Sequence, residues 1–147
     1  MQSLPLFILV ALAGAGLSLQ AGINTRLQLA WAQSPLLTAF ISFLVGTLGL
    51  LVCLLVTRVS VPALPERFTW WHWTGGLLGA FMVLMAIISV PRLGGTTMFS
   101  LIIAGQLAAS LVFDHFGLFG FAQHSISLPR LGGLLCIAFG VMLIRKF

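Results

Sequence analysis

The sequence predicts an all-α protein that crosses a membrane five times. Two observations carry this. The first is composition: 7 Lys+Arg and 2 Asp+Glu make the chain 6% charged, against about 25% in a soluble domain. Hydrophobic residues reach 60% and mean hydropathy is +1.16. A soluble fold of 147 residues needs far more polar surface, and a disordered chain is poor in apolar residues. The second is patterning. The apolar residues gather into five runs, most of them near the roughly 20 residues a helix needs to cross a bilayer core.

The first run covers residues 4–24. Nothing basic precedes it, Arg26 lies in the would-be cleavage region, and the run is too long for a signal-peptide core. It therefore reads as a retained span. The second run covers 36–57 and is opened by Ser34–Pro35, a capping residue followed by proline in the first turn. The third covers 73–90 and the fourth 96–113. The fifth covers 129–145; its apolar core is short, and Arg130 can extend it by snorkelling. Residues 25–35, 58–72, 91–95 and 114–128 read as loops, which leaves one transmembrane domain over 1–147 and no room for a soluble one. Trp70, Trp71 and Trp73, and Phe113, Phe116, Phe119 and Phe121, read as interfacial aromatic belts. Pro-Arg-Leu-Gly-Gly occurs twice, at 91–95 and 129–133, and each copy is expected to open a helix.

The basic excess does not indicate nucleic acid. Arg26, Arg58, Arg67, Arg92, Arg130, Arg145 and Lys146 are scattered near the ends of apolar runs, whereas a nucleic-acid surface clusters them. Cys53 and Cys136 sit inside apolar runs and read as buried small residues. His72, His115 and His124 lack metal-ligand spacing. No metal, cofactor or nucleic-acid partner is expected. There is also no nucleophile–base pair or phosphate loop, so no enzymatic activity is expected.

Orientation follows Lys/Arg asymmetry in short loops. Arg58, Arg67 and Arg130 fall on one side; Arg26, Arg92, Arg145 and Lys146 fall on the other. Three against four gives the rule almost nothing to act on. The expectation is insertion in both orientations and an antiparallel homodimer.

Polar residues inside the runs mark the candidate site. Gly16, Gln20, Asn24 and Gln28 recur every four residues in and beyond the first run, which makes one polar stripe. Gln106, Ser110 and Asp114 do the same in and just past the fourth. Gln106 is about 12 Å from Asp114 along a helix, so Gln106 lies deep and Asp114 near the edge. Two readings of Gln20 and Gln106 stay open: hydrogen bonds between helices, or contact with a substrate in a polar cavity. Asp114 is expected to cap or to pair locally with an arginine at the same interface, and it is the only candidate for a titrating group. Small residues on one face also favour helix packing: Gly75 and Gly79, then Ser42, Gly46, Gly49 and Cys53, then Gly133 and Gly140. No charged residue stands at mid-span, which fits a neutral or amphipathic substrate better than a proton-coupled cation.

Six segments resemble the motifs of one family. They are Gly16 to Leu27, Phe40 to Thr47, Trp73 to Phe81, Pro91 to Gly94, and Ala104 to Leu107 followed by Asp114 to Gly117. Together and in order they resemble the YdcZ family of small bacterial inner-membrane proteins, grouped with the drug/metabolite transporter superfamily. The resemblance implies an exporter-like role in the inner membrane. Paired genes and fused duplicates in that family imply antiparallel assembly. It also implies site roles for Gln20, Asn24, Ser42, Phe43 and Gln106, which fall on its recurring positions. The related small multidrug exporters have four helices and a first-helix glutamate; this chain has neither. The expected function is small-molecule export by a dual-topology homodimer in the lipid bilayer. The alternatives are a non-transporting scaffold or accessory subunit, and a passive channel.

Overall fold

The computed structural model describes residues 3–63 and 69–147. Glu66 and Arg67, which entered the charge reading above, lie outside the described residues. Among the described residues there is no strand. The helices are α1 (Ser3–Leu27), α2 (Pro35–Thr57), α3 (Thr74–Leu93), α4 (Gly95–Phe116) and α5 (Leu128–Lys146). All five are long and apolar enough to cross a membrane. The shortest, α5, has 19 residues, or about 28 Å at 1.5 Å per residue, close to the thickness of a hydrocarbon core. Contacts between helices gather into two units, Met1–Arg92 and Leu93–Phe147.

In the first unit, the turn from α1 to α2 is tighter than the 25–35 loop the sequence suggested. α1 runs on as a π-helical turn, Gln28–Ala32. Gln33 closes it in the left-handed conformation (φ 53°), donating its N–H to the Gln28 carbonyl at 2.8 Å. Ser34 then caps α2. Its backbone is extended, its Oγ accepts from the Leu37 N–H at 3.4 Å, and Pro35 fills the first helical position where no N–H is needed. Thr38 donates its hydroxyl to the Ser34 carbonyl at 2.9 Å and is fully buried. Ala21, Ala32 and Ala39 are buried with it. Small side chains are what let backbones approach where no hydrophobic drive exists. Of the glycine faces expected to pack, Gly79 has a neighbour: the Phe43 ring lies where it would touch a Cβ, at 3.6 Å. Gly46, Gly49 and Gly75 face open space.

The two Pro-Arg-Leu-Gly-Gly copies do opposite jobs, which corrects the expectation that both open helices. The second opens α5, with Ser127 extended before it and Pro129 in the first turn. The first closes α3. Pro91 lies inside the last turn of α3, and the helix ends at Leu93. The expected 91–95 loop shrinks to Gly94. Gly94 has φ 79° and ψ 151°, a region essentially restricted to glycine. That single residue lets one helix stop and the next begin, with the Met98 N–H donating to the Gly94 carbonyl at 3.1 Å.

In the second unit, α4 packs on α5. Gly117 (φ 62°) ends α4, donating its N–H to the Asp114 carbonyl at 3.4 Å. The chain then folds back over that helix end. The His124 N–H donates to the same carbonyl at 2.8 Å, Gln123 Nε2 donates to the His115 carbonyl at 3.3 Å, and the Ile126 N–H donates to His115 Nδ1 at 3.3 Å. Phe119 and Phe121 meet Phe113 edge-on at 5.3 and 5.8 Å. The carbonyls of Phe113, Asp114 and His115 at the end of α4 are thus met by protein groups, as a helix end near a membrane requires.

Gly94→Ala is expected to lower stability by about 1–3 kcal/mol, the cost of that backbone region for a residue with Cβ. Gly105→Ala, on a helix with nothing within 4 Å of the added carbon, should be neutral or stabilising by about 0.5–1 kcal/mol. Thermal unfolding in detergent micelles compares the two.

Candidate functional site

Polar side chains within the helices divide into two kinds. Several hydroxyls are satisfied by their own helix. Thr25 donates to the Ala21 carbonyl at 2.9 Å, Thr57 to that of Cys53 at 2.6 Å and Ser100 to that of Thr96 at 2.8 Å. This bond to the carbonyl four residues back removes the hydroxyl from the list of groups needing an outside partner. A glutamine amide carries two donors and an acceptor, so one such bond does not suffice.

Gln20 and Gln106 are the two such amides that the sequence places deep in their runs. Ser18 is the midpoint of the apolar segment Leu4–Ala32, and Gln20 stands two residues beyond it. Gln106 stands at the midpoint of α4, Gly95–Phe116. Both are exposed on the surface of the chain. The depth expected from the sequence is therefore accompanied by exposure at that depth.

The other expected site residues are placed differently. Asn24 is buried, at 4% exposure. The stripe it was expected to share with Gln20 and Gln28 is broken up: Gln20 is exposed, Asn24 is enclosed, and Gln28 begins the π turn with its Oε1 buried and without a hydrogen-bond partner. The π turn changes the angular step at that point, which sequence spacing of four cannot register. Ser42 is half-buried on α2. Phe43 is 37% exposed and packs on Gly79 of α3. Gln20, Asn24, Ser42 and Phe43 belong to the first unit and Gln106 to the second. No hydrogen bond joins any two of Gln20, Asn24 and Ser42.

Cys53 and Cys136 are free and exposed, which corrects the expectation that they are buried. The reason is general to the fold: in four of the five apolar segments only 6% of the most apolar stretch is buried, so most positions on a helix face outward. Among the described residues no three of His, Cys, Asp and Glu gather where a metal could bind.

The most developed polar feature of the second unit is the local pairing with an arginine expected for Asp114, and the structure identifies the partner. Asp114, in the last turn of α4, pairs with Arg130, in the first turn of α5. Arg130 Nη1 lies 3.3 Å from Asp114 Oδ2, and the side chains are 40% and 27% exposed. Below the pair, an open cavity of about 240 Å³ runs between the helices, lined by Leu107, Ser110, Leu111, Gly133, Leu134 and Ile137. A second groove on the other flank of Ser110 reaches Gln106, Phe113 and Phe121. Gln106, Ser110 and Asp114 therefore line a continuous strip of α4 from mid-span to its end. The charges sit against the helix dipoles. A carboxylate at a C-terminus and a guanidinium at an N-terminus are both disfavoured there; each partner offsets that penalty for the other.

Five membrane-span helices, sparse internal burial and polar groups turned outward at mid-depth define a multi-pass membrane protein. A family model described as "Putative inner membrane exporter, YdcZ" matches residues 5–143, and the chain belongs to that family. It is accordingly a multi-pass protein of the bacterial inner membrane, from a family whose description is that of an exporter. No curated protein and no solved structure matches the chain.

Reversing the pair tests the dipole argument. The double variant Asp114→Arg/Arg130→Asp keeps the ion pair and aligns both charges with the dipoles. It should be at least as stable as the natural chain, by about 0.3–1 kcal/mol per helix end. Either single neutral variant should change stability by no more than about 1 kcal/mol, since the pair is partly exposed. Thermal unfolding at low ionic strength measures all three.

Proposed function

We propose that the chain exports a small neutral or amphipathic molecule, working as a dual-topology antiparallel homodimer. The observation that supports this best is the exposure of Gln20 and Gln106 near the midpoints of their apolar segments. An amide carries more donor and acceptor capacity than one bond satisfies. An outward-facing amide at that depth is accommodated by a second protein surface, by a water-filled path or by a polar substrate. An antiparallel second copy brings equivalent mid-depth residues to the same level of the bilayer, because a residue at the centre of a span stays at the centre when the span is inverted. Such a pair has a two-fold axis in the membrane plane, the symmetry that many transporters achieve with inverted repeats.

In this reading, Gln20 and Gln106 make the polar contacts at mid-depth and Ser42 and Phe43 contribute a hydroxyl and a ring. Asn24, which is buried, would act from within the fold and not at its surface. The strip from Gln106 through Ser110 to Asp114 is the way out from the centre to one face. The family description supports export. The near balance of basic residues between the two sides supports insertion in both orientations. The absence of charge at mid-span supports a site that binds through neutral hydrogen bonds and apolar contact.

Efflux of a neutral amphipathic fluorescent dye from inverted vesicles tests the site. Gln20→Ala and Gln106→Ala should each lower the saturable rate by about tenfold, the equivalent of one lost hydrogen bond near the upper end of the ordinary range. Helical content and thermal stability should be unchanged, because both side chains are exposed. Loss of folding in both variants would make the amides structural and place the site elsewhere.

A further inference from the structure

The pair of Asp114 and Arg130 has three properties that export through the mid-depth amides does not require. It stands at the end of α4 and the start of α5, the level at which a span meets the headgroups. Its two charges both oppose the local helix dipoles, so helix stability alone would select the reverse arrangement. And its contact is incomplete. One carboxylate oxygen meets one guanidinium nitrogen at 3.3 Å, longer than the 2.7–2.9 Å of a close charge-assisted bond. A carboxylate offers about four acceptor sites and a guanidinium five donors, so most of the capacity of both groups is open to another partner.

The cavity beside the pair indicates the kind of partner. It is open to the outside and descends between α4 and α5 along Leu107, Leu111, Leu134 and Ile137. Gly133 leaves it unfilled: a Cβ added there would meet nothing within 4 Å. A charged mouth at headgroup level above an apolar trough fits a molecule with a zwitterionic head and a hydrocarbon tail. A planar guanidinium suits a phosphate oxygen, and the carboxylate suits a cation that can donate hydrogen bonds.

We propose that the groove between α4 and α5 is a binding site for a phospholipid with a phosphate and a primary ammonium in its headgroup, phosphatidylethanolamine being the membrane lipid of that class. Arg130 receives the phosphate, Asp114 receives the ammonium, and an acyl chain lies in the trough past Gly133. The chemistry ranks other lipids. A choline headgroup carries no N–H for Asp114. A glycerol headgroup carries no cation, so the charge of its phosphate is left uncompensated beside the carboxylate. The site shares Asp114 and Ser110 with the proposed exit strip but includes neither Gln20 nor Gln106, and lipid binding is read independently of transport.

Native mass spectrometry of the full chain, released from micelles doped with one lipid at a time, reads the bound lipid directly. Phosphatidylethanolamine should bind about tenfold more tightly than phosphatidylcholine or phosphatidylglycerol, the scale of one charge-assisted hydrogen bond. Asp114→Asn should abolish the preference over phosphatidylcholine and raise phosphatidylglycerol binding. Arg130→Gln should weaken all three lipids, and Arg130→Lys should retain the order. Gly133→Leu fills the trough without touching either charge, and should reduce binding of every lipid at unchanged helical content. Equal binding of the three lipids, or an order that survives Asp114→Asn and Gly133→Leu, would overturn the proposal. So would full displacement by soluble glycerophosphoethanolamine at equal concentration, since the trough would then contribute nothing.

Discussion

A bilayer offers no hydrogen-bond partners, and the rest of this structure follows from that. The backbone meets the constraint by forming helices, which satisfy their own N–H and C=O groups. The ends of those helices meet it locally. Ser34 caps α2, Gln33 closes the π turn, and the segment after Gly117 folds back over the last carbonyls of α4. The hydroxyls of Thr25, Thr57 and Ser100 meet it by bonding back to their own helix. Two kinds of polar group stand out against this background: the exposed amides within the spans and the ion pair at the edge.

Those two features divide the labour by depth. At the centre, charge would be expensive and an amide is the strongest neutral hydrogen-bonding group available. At the edge, charge is tolerated, and Asp114 and Arg130 carry it in an arrangement that the helices themselves do not favour. Sparse burial within the chain is the common condition for both. Few large side chains are enclosed among the described residues, Ile87 and Thr38 being the fully covered ones. A chain with so little interior of its own leaves most helix faces for lipid, for a second copy or for a ligand.

The five helices were legible because length and apolarity leave a 20-residue run few alternatives. Junctions were less legible, since they turn on single residues. Pro91 looked like a helix opener and instead lies in the last turn of α3, because the break is made by Gly94 and not by the proline. The π turn at Gln28–Ala32 extends α1 beyond where polar residues seemed to end it. The depth of Gln20 and Gln106 followed from position along their runs. Their exposure did not, because spacing assigns residues to a common face without saying what that face meets. Asp114 was recognisable as a residue that caps or pairs, but choosing Arg130 among the arginines needed the fold-back that brings α5 beside α4.

Orientation in the membrane is the most direct test of the account, because an antiparallel homodimer needs one sequence inserted both ways. Two reporters, one active only in the cytoplasm and one only outside it, fused separately to Phe147, read the location of that terminus. The account predicts comparable activity from both fusions. Activity from one alone would contradict it, and would leave the mid-depth amides to a parallel assembly or to an oppositely oriented partner of different sequence.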